Sequence, residues 1–357
     1  MALDLPSPCP RERGRSLETL LLQFSIALAL ILAFLNGYHE GGNVVATSIL
    51  SRSVTPGKAL LFASFAELAG ALLLGSAVAR SIGEIMAPVL FRSGPPLASS
   101  LLLFSILCGI IIWTPMASWV GIPPSSSHAL LGGVVGGVLA ASGVREINWI
   151  LLLKFGLILL AAPAAGALMG SLLTSALSFN LVFSRKSLAG LIVIGMAHGT
   201  NNAQKAAAWF AMALALSGSL EAIEIPSGVS LACGSCLAFG VYLGGWNIVR
   251  ILGNRIFSIE PGHSFRSQAA TGCVLLAATV AGAPVNSVEV IKSAVIGVGA
   301  GKRTRTVYRS LYRDILMAWT VTLPATAVLA AATFWISAGA LGMGMGSFES
   351  IMRSLGQ

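Results

Sequence analysis

Apolar runs of roughly 20 residues alternate with short polar segments along almost the whole chain, and this spacing predicts helices that cross a lipid bilayer. The predicted apolar spans are 17–35, 58–79, 97–113, 126–142, 149–176, 188–197, 203–217, 227–246, 267–281, 287–300 and 314–338. Several are too short to cross a membrane alone, and we interpret these as half-helices or re-entrant segments that line a cavity within the protein. The pattern therefore predicts an all-α polytopic membrane protein with broken or re-entrant helices.

The composition strengthens this prediction. Of the 357 residues, 55% are hydrophobic and only 10% are charged, and the mean hydropathy is +0.85. A soluble domain carries about 25% charged residues. The net charge of +9 would suit a nucleic-acid partner, but the basic residues are scattered at the ends of the spans, as membrane topology requires. We therefore expect the lipid bilayer as a partner and no nucleic acid.

The chain also repeats itself. GYHEGGN (37–43) aligns with GTNNAQK (199–205) at an offset of 162 positions, and GIPPSSSHALLGGVVG (121–136) aligns with GAPVNSVEVIKSAVIG (282–297) at an offset of 161. Duplicated halves with short, Gly- and Pro-interrupted apolar segments are typical of secondary transporters, whose site lies between the halves. The predicted division is a polar N-terminal tail (1–16), a first transmembrane half (17–178), a second half (179–340) and a C-terminal tail (341–357).

Two of the repeated motifs carry candidate chemistry. In PPSSSH (123–128), prolines followed by serines predict a helix start, and its free N–H groups and hydroxyl donors suit a tetrahedral oxyanion such as phosphate. In NGYHEGGN (36–43), the glycines predict a break in a helix, where backbone carbonyls, Asn side chains and a carboxylate could bind Na⁺ or H⁺. Glu40 and Glu67 lie inside apolar spans, and a carboxylate at such depth indicates function.

Other interpretations of these residues exist. Ser125, Ser126 and Ser127 could be plain helix caps, His128 could be a satisfied core histidine, and the asparagines could tie down a kinked backbone. A hydrolase built on Ser127 and His128 is disfavoured, because neighbours on one helical turn make poor triad geometry and no separate acid is apparent to orient the histidine. We therefore expect no enzyme.

The motifs resemble those of a known family. NGYHEGGNVVAT, GIPPSSSHALLGGVVG, AHGTNNAQKAAAWFAMAL, LGGWNIVRILGNRI and AWTVTLPATAVLAA occur in the order found in the inorganic phosphate transporter (PiT) family, between about Leu20 and Ala332. The resemblance implies an inverted-repeat transporter fold, a homodimer, and symport of phosphate with Na⁺ or H⁺. It covers nearly the whole chain.

The resemblance also marks departures. Glu40 and Asn202 stand where the family motifs have Asp, while Asn286, Val288 and Glu289 replace most of the second hydroxyl-rich motif. The chain is thus similar to a divergent member with an altered second repeat. A bare carboxylate at Glu289 would repel phosphate, so Glu289 should be protonated, point away from the site, or pair with Lys292, three residues further along the same helix. Of these we expect the pairing, because a buried charge needs a partner.

These observations together predict a multi-pass symporter in the plasma (cell inner) membrane. The expected substrate-binding residues are Ser125, Ser126, Ser127, His128, Asn201, Asn202, Gln204, Lys205 and Ser287. The expected coupling-ion residues are Asn36, His39, Glu40, Asn43, Glu67 and Asn202, with Na⁺ near Glu40 as one option and no other cofactor. The altered-motif residues are Asn286, Glu289 and Lys292. The missing acid at Asn202 favours H⁺ through Glu40 over several Na⁺ ions, and transport of another oxyanion such as sulfate, or a non-transporting sensor, remain alternatives.

Overall fold

The computed structural model of the protein describes residues 10–91, 96–122, 125–176, 183–220, 225–253, 259–299 and 304–342, and in these ranges the chain forms α-helices and no strand. The helices are α1 (Pro10–Leu50), α2 (Pro56–Leu73), α3 (Ala77–Leu90), α4 (Pro96–Val120), α5 (Ser126–Ser142), α6 (Trp149–Ala176), α7 (Phe183–Leu216), α8 (Ser227–Gly253), α9 (Pro261–Val280), α10 (Ser287–Gly297), α11 (Thr304–Met317) and α12 (Leu323–Ala340). A 3₁₀ turn (Val144–Glu146) precedes α6, and a π-helical turn (Ala318–Thr322) joins α11 to α12.

Six stretches of the described chain are long and apolar enough to cross a membrane: Ser16–Leu50, Pro56–Leu73, Pro96–Val120, Trp149–Ala176, Ser227–Trp246 and Tyr308–Ala340. Large apolar side chains such as Phe65 and Ile150 point outward, as a lipid-facing surface requires. The protein is therefore an integral multi-pass membrane protein, and the prediction of an all-α polytopic fold is confirmed.

The predicted helix breaks at the first and third motifs are wrong. Helix α1 runs without interruption through 36–47, and α7 joins the predicted spans 188–197 and 203–217 into one helix. The glycines serve close packing between helices: a Cβ atom at Gly37 would lie 2.1 Å from the carbonyl oxygen of Leu237 in α8, and one at Gly199 would lie 2.2 Å from that of Glu67 in α2. Intact helices keep every backbone hydrogen bond at membrane depth, which a break would lose.

The two halves exchange packing partners. Helix α1 packs on α8 while α7 packs on α2, and α5 packs on α12 while α10 packs on α6. Because α1 and α5 align with α7 and α10 in the sequence repeat, this exchange is the arrangement that two halves related by a two-fold axis would make. The division into 17–178 and 179–340 stays a prediction.

The short helices α5 and α10 both begin inside the protein. Helix α5 begins at Ser126 after Ser125 as N-cap, so the helix start predicted from PPSSSH is confirmed, while Pro123 and Pro124 lie outside the described residues. Helix α10 begins at Ser287 after Asn286, whose side-chain oxygen accepts a hydrogen bond from the backbone N–H of Val288. Both helices start inside the protein, because all these capping residues are buried.

Candidate functional site

The centre of the site is the carboxylate of Glu40 on α1, which is only 2% exposed. The hydroxyl of Ser126 donates to one carboxylate oxygen at 2.8 Å, and that of Ser287 donates to the other. Ser126 and Ser287 are the first residues of α5 and α10 and are equivalent in the repeat. The positive ends of two helices therefore converge on one negative charge.

A second charged group, the ammonium of Lys205 on α7, lies beside the first. It donates to the side-chain oxygen of Asn202 at 2.9 Å, to the backbone oxygen of Val285 at 2.9 Å and to the hydroxyl of Ser126 at 3.3 Å. Ser126 thus links the ammonium of Lys205 to the carboxylate of Glu40. The structure brings together residues that sequence analysis assigned separately to the substrate and to the coupling ion.

His198 lies between two buried carboxylates. Its Nε2 atom is 3.6 Å from an oxygen of Glu40, and its Nδ1 atom is 3.0 Å from an oxygen of Glu67 on α2. All three side chains are at most 3% exposed. The predicted site did not include His198, although its place four residues before Asn202 puts both on one face of α7. That spacing was the signal that could have identified it.

The altered motif forms a chain of hydrogen bonds across the two helix starts. The amide nitrogen of Asn286 donates to a carboxylate oxygen of Glu289 at 2.6 Å and to the hydroxyl of Ser125 at 3.0 Å. Ser125 in turn lies 2.7 Å from Nδ1 of His128. The ring of His128 packs edge-on against Trp319, with 5.0 Å between centroids, so the π-helical turn supports this end of the chain.

The predicted pairing of Glu289 with Lys292 is wrong. The ammonium of Lys292 forms an ion pair with Asp314 of α11 and donates to the hydroxyl of Ser310 at 2.9 Å. Lys292 lies on the side of α10 that packs against α11, while Glu289 is held at the first turn by Asn286. Sequence analysis missed Asp314, whose signal was a single acid within the basic run YRSLYRD (308–314).

Two predicted site residues hold the loops that lead into the short helices. Asn201 donates to the hydroxyl of Thr279 and to the backbone oxygen of Ala283, both at 3.0 Å, and so ties down the connection before α10. His39 lies 3.2 Å from the hydroxyl of Ser118 near the end of α4. His39 and Ser118 are the repeat equivalents of Asn201 and Thr279, so the two contacts correspond.

The structure places Gln204 at another helix start. Its side-chain oxygen accepts from the backbone N–H of Val78 at 2.8 Å and of Ala79 at 3.4 Å, and its nitrogen donates to the backbone oxygen of Gly75 at 2.7 Å. Both ends of the amide are therefore engaged at the beginning of α3. Its assignment to the substrate stays a prediction, which now rests on the second N–H of the amide nitrogen.

Comparison with known proteins shows the family of this chain. The sequence profile of the phosphate transporter family matches residues 36–194 and 181–330, which together cover most of the chain. The chain belongs to the phosphate transporter family. This transporter is not an enzyme, and the resemblance identified from its motifs is confirmed.

Individual relatives cover almost the full length of this transporter. A "Probable low-affinity inorganic phosphate transporter" of Rhizobium meliloti (strain 1021) is 33% identical in an alignment of 327 positions that covers 88% of this chain and 96% of the relative. One with the same description from Bacillus subtilis (strain 168) is 30% identical, over 87% and 95% of the two chains. A solved structure described as "The sodium-dependent phosphate transporter" superposes with a TM-score of 0.78 at 22% identity, covering 89% of this chain and 98% of that one. At that identity the likeness shows the fold.

Several buried donors in this transporter are left without partners. Within the described part of the chain, the amide nitrogens of Asn36 and Asn202 and the hydroxyl of Ser127 make no hydrogen bond. Asn36, Glu40 and the half-buried Asn43 share one face of α1 by their spacing. Because an unsatisfied buried donor costs about 1–3 kcal/mol, such groups are available to a polar ligand.

The residues fit a Na⁺ ion at Glu40 poorly. Both of its carboxylate oxygens already accept from serine hydroxyls, and the side-chain oxygen of Asn202 accepts from Lys205. A Na⁺ ion would have to replace those donors, and the ammonium of Lys205 already supplies positive charge beside them. The arrangement instead combines anion-binding donors with a carboxylate that competes for them.

Proposed function

We propose that this transporter carries inorganic phosphate across the plasma (inner) membrane together with H⁺. The observation that supports this most strongly is the convergence of Ser126 and Ser287, the starts of two equivalent helices, on the carboxylate of Glu40. Helix N-termini and hydroxyl donors bind oxyanions, and membership of the phosphate transporter family makes phosphate the substrate of choice.

The donors suit a tetrahedral anion. Ser126 and Ser287 offer hydroxyls, Lys205 offers an ammonium, and Ser127 and Asn202 hold buried donors without partners. They come from both halves of the molecule, so an anion held by all of them would lie at the interface between the halves. Alternating access needs a site at that position, since each half then moves around a shared ligand.

Coupling to H⁺ follows from competition for the serine hydroxyls. As an ionised carboxylate, Glu40 accepts from both serines and occupies the place at the helix starts where an oxyanion would bind. Protonation makes one of its oxygens a donor and weakens both oxygens as acceptors for the serine hydroxyls. Phosphate can then compete for these hydroxyls, so binding of phosphate and binding of H⁺ favour each other. Thermodynamic linkage makes this coupling reciprocal.

His198 and Glu67 extend the same arrangement. They form a line of ionisable side chains from Glu40 into α2, with contacts of 3.6 Å and 3.0 Å. Two carboxylates, a neutral imidazole and the neighbouring ammonium of Lys205 together carry a net charge of −1, one proton short of the neutrality that burial favours. A proton arriving with phosphate would complete that set.

The test is uptake of labelled phosphate into proteoliposomes containing the purified protein. We expect an inward H⁺ gradient to accelerate uptake at least about tenfold, a change of about 1.4 kcal/mol in barrier, while replacing external Na⁺ with choline has no effect. Uptake that depends on Na⁺ and ignores the H⁺ gradient would overturn H⁺ coupling. Stronger competition from unlabelled sulfate than from unlabelled phosphate would assign another oxyanion, and binding without translocation would indicate a sensor.

Three further features belong to the same proposal. We infer a division into two transmembrane halves at 178/179 and a homodimer in the membrane, as the family resemblance implies. Light scattering of the detergent-solubilised protein measures its oligomeric mass, and a monomeric mass would contradict the homodimer. Fractionation of cells expressing the protein checks its location in the plasma membrane.

A further inference from the structure

The ammonium of Lys205 is completely enclosed. The residue is 1% exposed, and its three N–H donors meet three oxygens at 2.9, 2.9 and 3.3 Å. These oxygens belong to a side-chain amide, a backbone carbonyl and a hydroxyl. They come from α7, from the connection before α10 and from the start of α5. Uncharged oxygens of this kind, gathered from separate elements, are the ligands that a monovalent metal cation would use.

The two halves carry different charges at equivalent positions of the repeat. Glu40 is equivalent to Asn202, and Asn43 is equivalent to Lys205. The first half thus carries an anion at one position and a neutral amide at the other, whereas the second half carries a neutral amide and a cation. Ser126 joins the two charges, because it accepts from Lys205 and donates to Glu40. A buried charge needs such a partner.

We propose that the ammonium of Lys205 is a tethered cation that takes the place of a bound Na⁺ ion in the transport site. It balances Glu40 before substrate binds, and it balances phosphate once Glu40 is protonated. Because the cation is covalently attached, it is never released and phosphate binding requires no Na⁺. This inference rests on the proposed function for its substrate and concerns a different property, the source of the positive charge.

Substitution of Lys205 tests it. Lys205→Ala removes the ammonium and leaves its three oxygens around a space that Na⁺ can enter. We expect wild-type uptake of phosphate to be equal in Na⁺ and in choline. In choline, uptake by Lys205→Ala should be at least about tenfold slower than wild-type uptake, which corresponds to the loss of roughly one charged hydrogen bond. In Na⁺, uptake by the same variant should be at least about threefold faster than in choline. Lys154→Ala, which removes an exposed lysine on α6, should match the wild type in both ions.

A purely structural role for Lys205 predicts loss without selective rescue by Na⁺. Lys205→Arg retains a cation and should keep Na⁺-independent uptake above that of Lys205→Ala. If Lys205→Ala fails to purify as a monodisperse protein, Lys205→Gln replaces it in the comparison. Two results would overturn the inference: wild-type uptake that requires Na⁺, or uptake by Lys205→Ala that is equally fast in Na⁺ and in choline.

The two proposals can fail separately. If the wild type transports no phosphate under any gradient, the proposed function fails, and equilibrium binding of inorganic phosphate then decides the role of Lys205. Calorimetric titration in Na⁺ and in choline should give equal affinities for the wild type and a Na⁺-dependent affinity for Lys205→Ala. Absence of phosphate binding by the wild type, or Na⁺-independent binding by the variant, would contradict the tethered cation.

Discussion

At the start of α5 a serine and a histidine three residues apart contact each other, and at the start of α10 an asparagine and a glutamate do the same. The loops before these helices show the same relation: His39 meets Ser118 in the first half, and Asn201 meets Thr279 in the second. Each contact joins equivalent positions although the residue types differ. Packing between helices thus preserves the geometry of both halves, while the chemistry at the shared positions has diverged.

Charge is where the halves differ most. The face of α1 presents Glu40 and the matching face of α7 presents Lys205, while their equivalents, Asn202 and Asn43, are neutral. The altered second repeat therefore supplies the cation and the first repeat supplies the anion. Ser126 and Ser287 remain alike and contact the same carboxylate. A duplicated site can become asymmetric in charge while its helix starts stay symmetric.

The largest effect should come from moving the acid between the halves. Glu40→Gln keeps an acceptor but cannot gain or lose a proton, and we expect uptake at the level of empty vesicles. Adding Asn202→Asp should not rescue it, because an acid at position 202 would pair with Lys205. Glu84→Gln, at an exposed position on α3, is the matched control. Proteoliposome uptake measures all three, and rescue by the double variant would show that the two positions are interchangeable.

Removing the two equivalent serines one at a time sharpens the comparison. Hydrogen bonds to charged groups contribute about 1.5–3 kcal/mol, so each alanine variant should lose roughly ten- to a hundredfold in uptake. Ser126→Ala should lose more than Ser287→Ala, because Ser126 also accepts from Lys205. Initial rates of labelled phosphate uptake give both values. A larger loss from Ser287→Ala would contradict the link between Lys205 and Glu40.

The equivalent glycines should behave alike. A methyl group at Gly37 or at Gly199 would collide with the backbone of a helix in the opposite half, and overpacking costs about 1–3 kcal/mol or more. Both alanine variants should unfold at lower temperature in detergent than the wild type. Gly228→Ala on α8 is the control, because nothing lies within 4 Å of the added atom. Unchanged stability of Gly199→Ala alone would mean that α7 can shift where α1 cannot.

The smallest effect concerns a pair that only the second half has. Lys292 and Asp314 align with Leu131 and Leu153 of the first half. Asp314→Asn should cost about 1–3 kcal/mol of stability, because it leaves the partly buried ammonium without its carboxylate. Lys292→Met combined with Asp314→Asn should recover most of this loss. Thermal unfolding of the single and double variants measures it, and an additive double variant would show that the pair makes no net contribution.

Much of this molecule was predictable from local pattern. Apolar run length predicted the membrane helices, PPSSSH predicted the start of α5, and the repeat predicted that Glu40 and Asn202 are equivalent positions. The same reasoning failed where glycine has two uses. In NGYHEGGN the glycines could end a helix or let another helix approach, and only the packing of α8 against α1 shows the second.

By itself, the sequence determined the helical membrane class, the duplication and the family, since these depend on composition, period and spacing along one chain. Tertiary structure alone decided the partners. Lys292 pairs with Asp314 and not with Glu289. Gln204 bonds to the start of α3, and His198 lies between Glu40 and Glu67. The physical reason is that a buried polar side chain bonds to whichever group an adjoining helix brings within about 3 Å, and that choice follows from helix packing across the two halves.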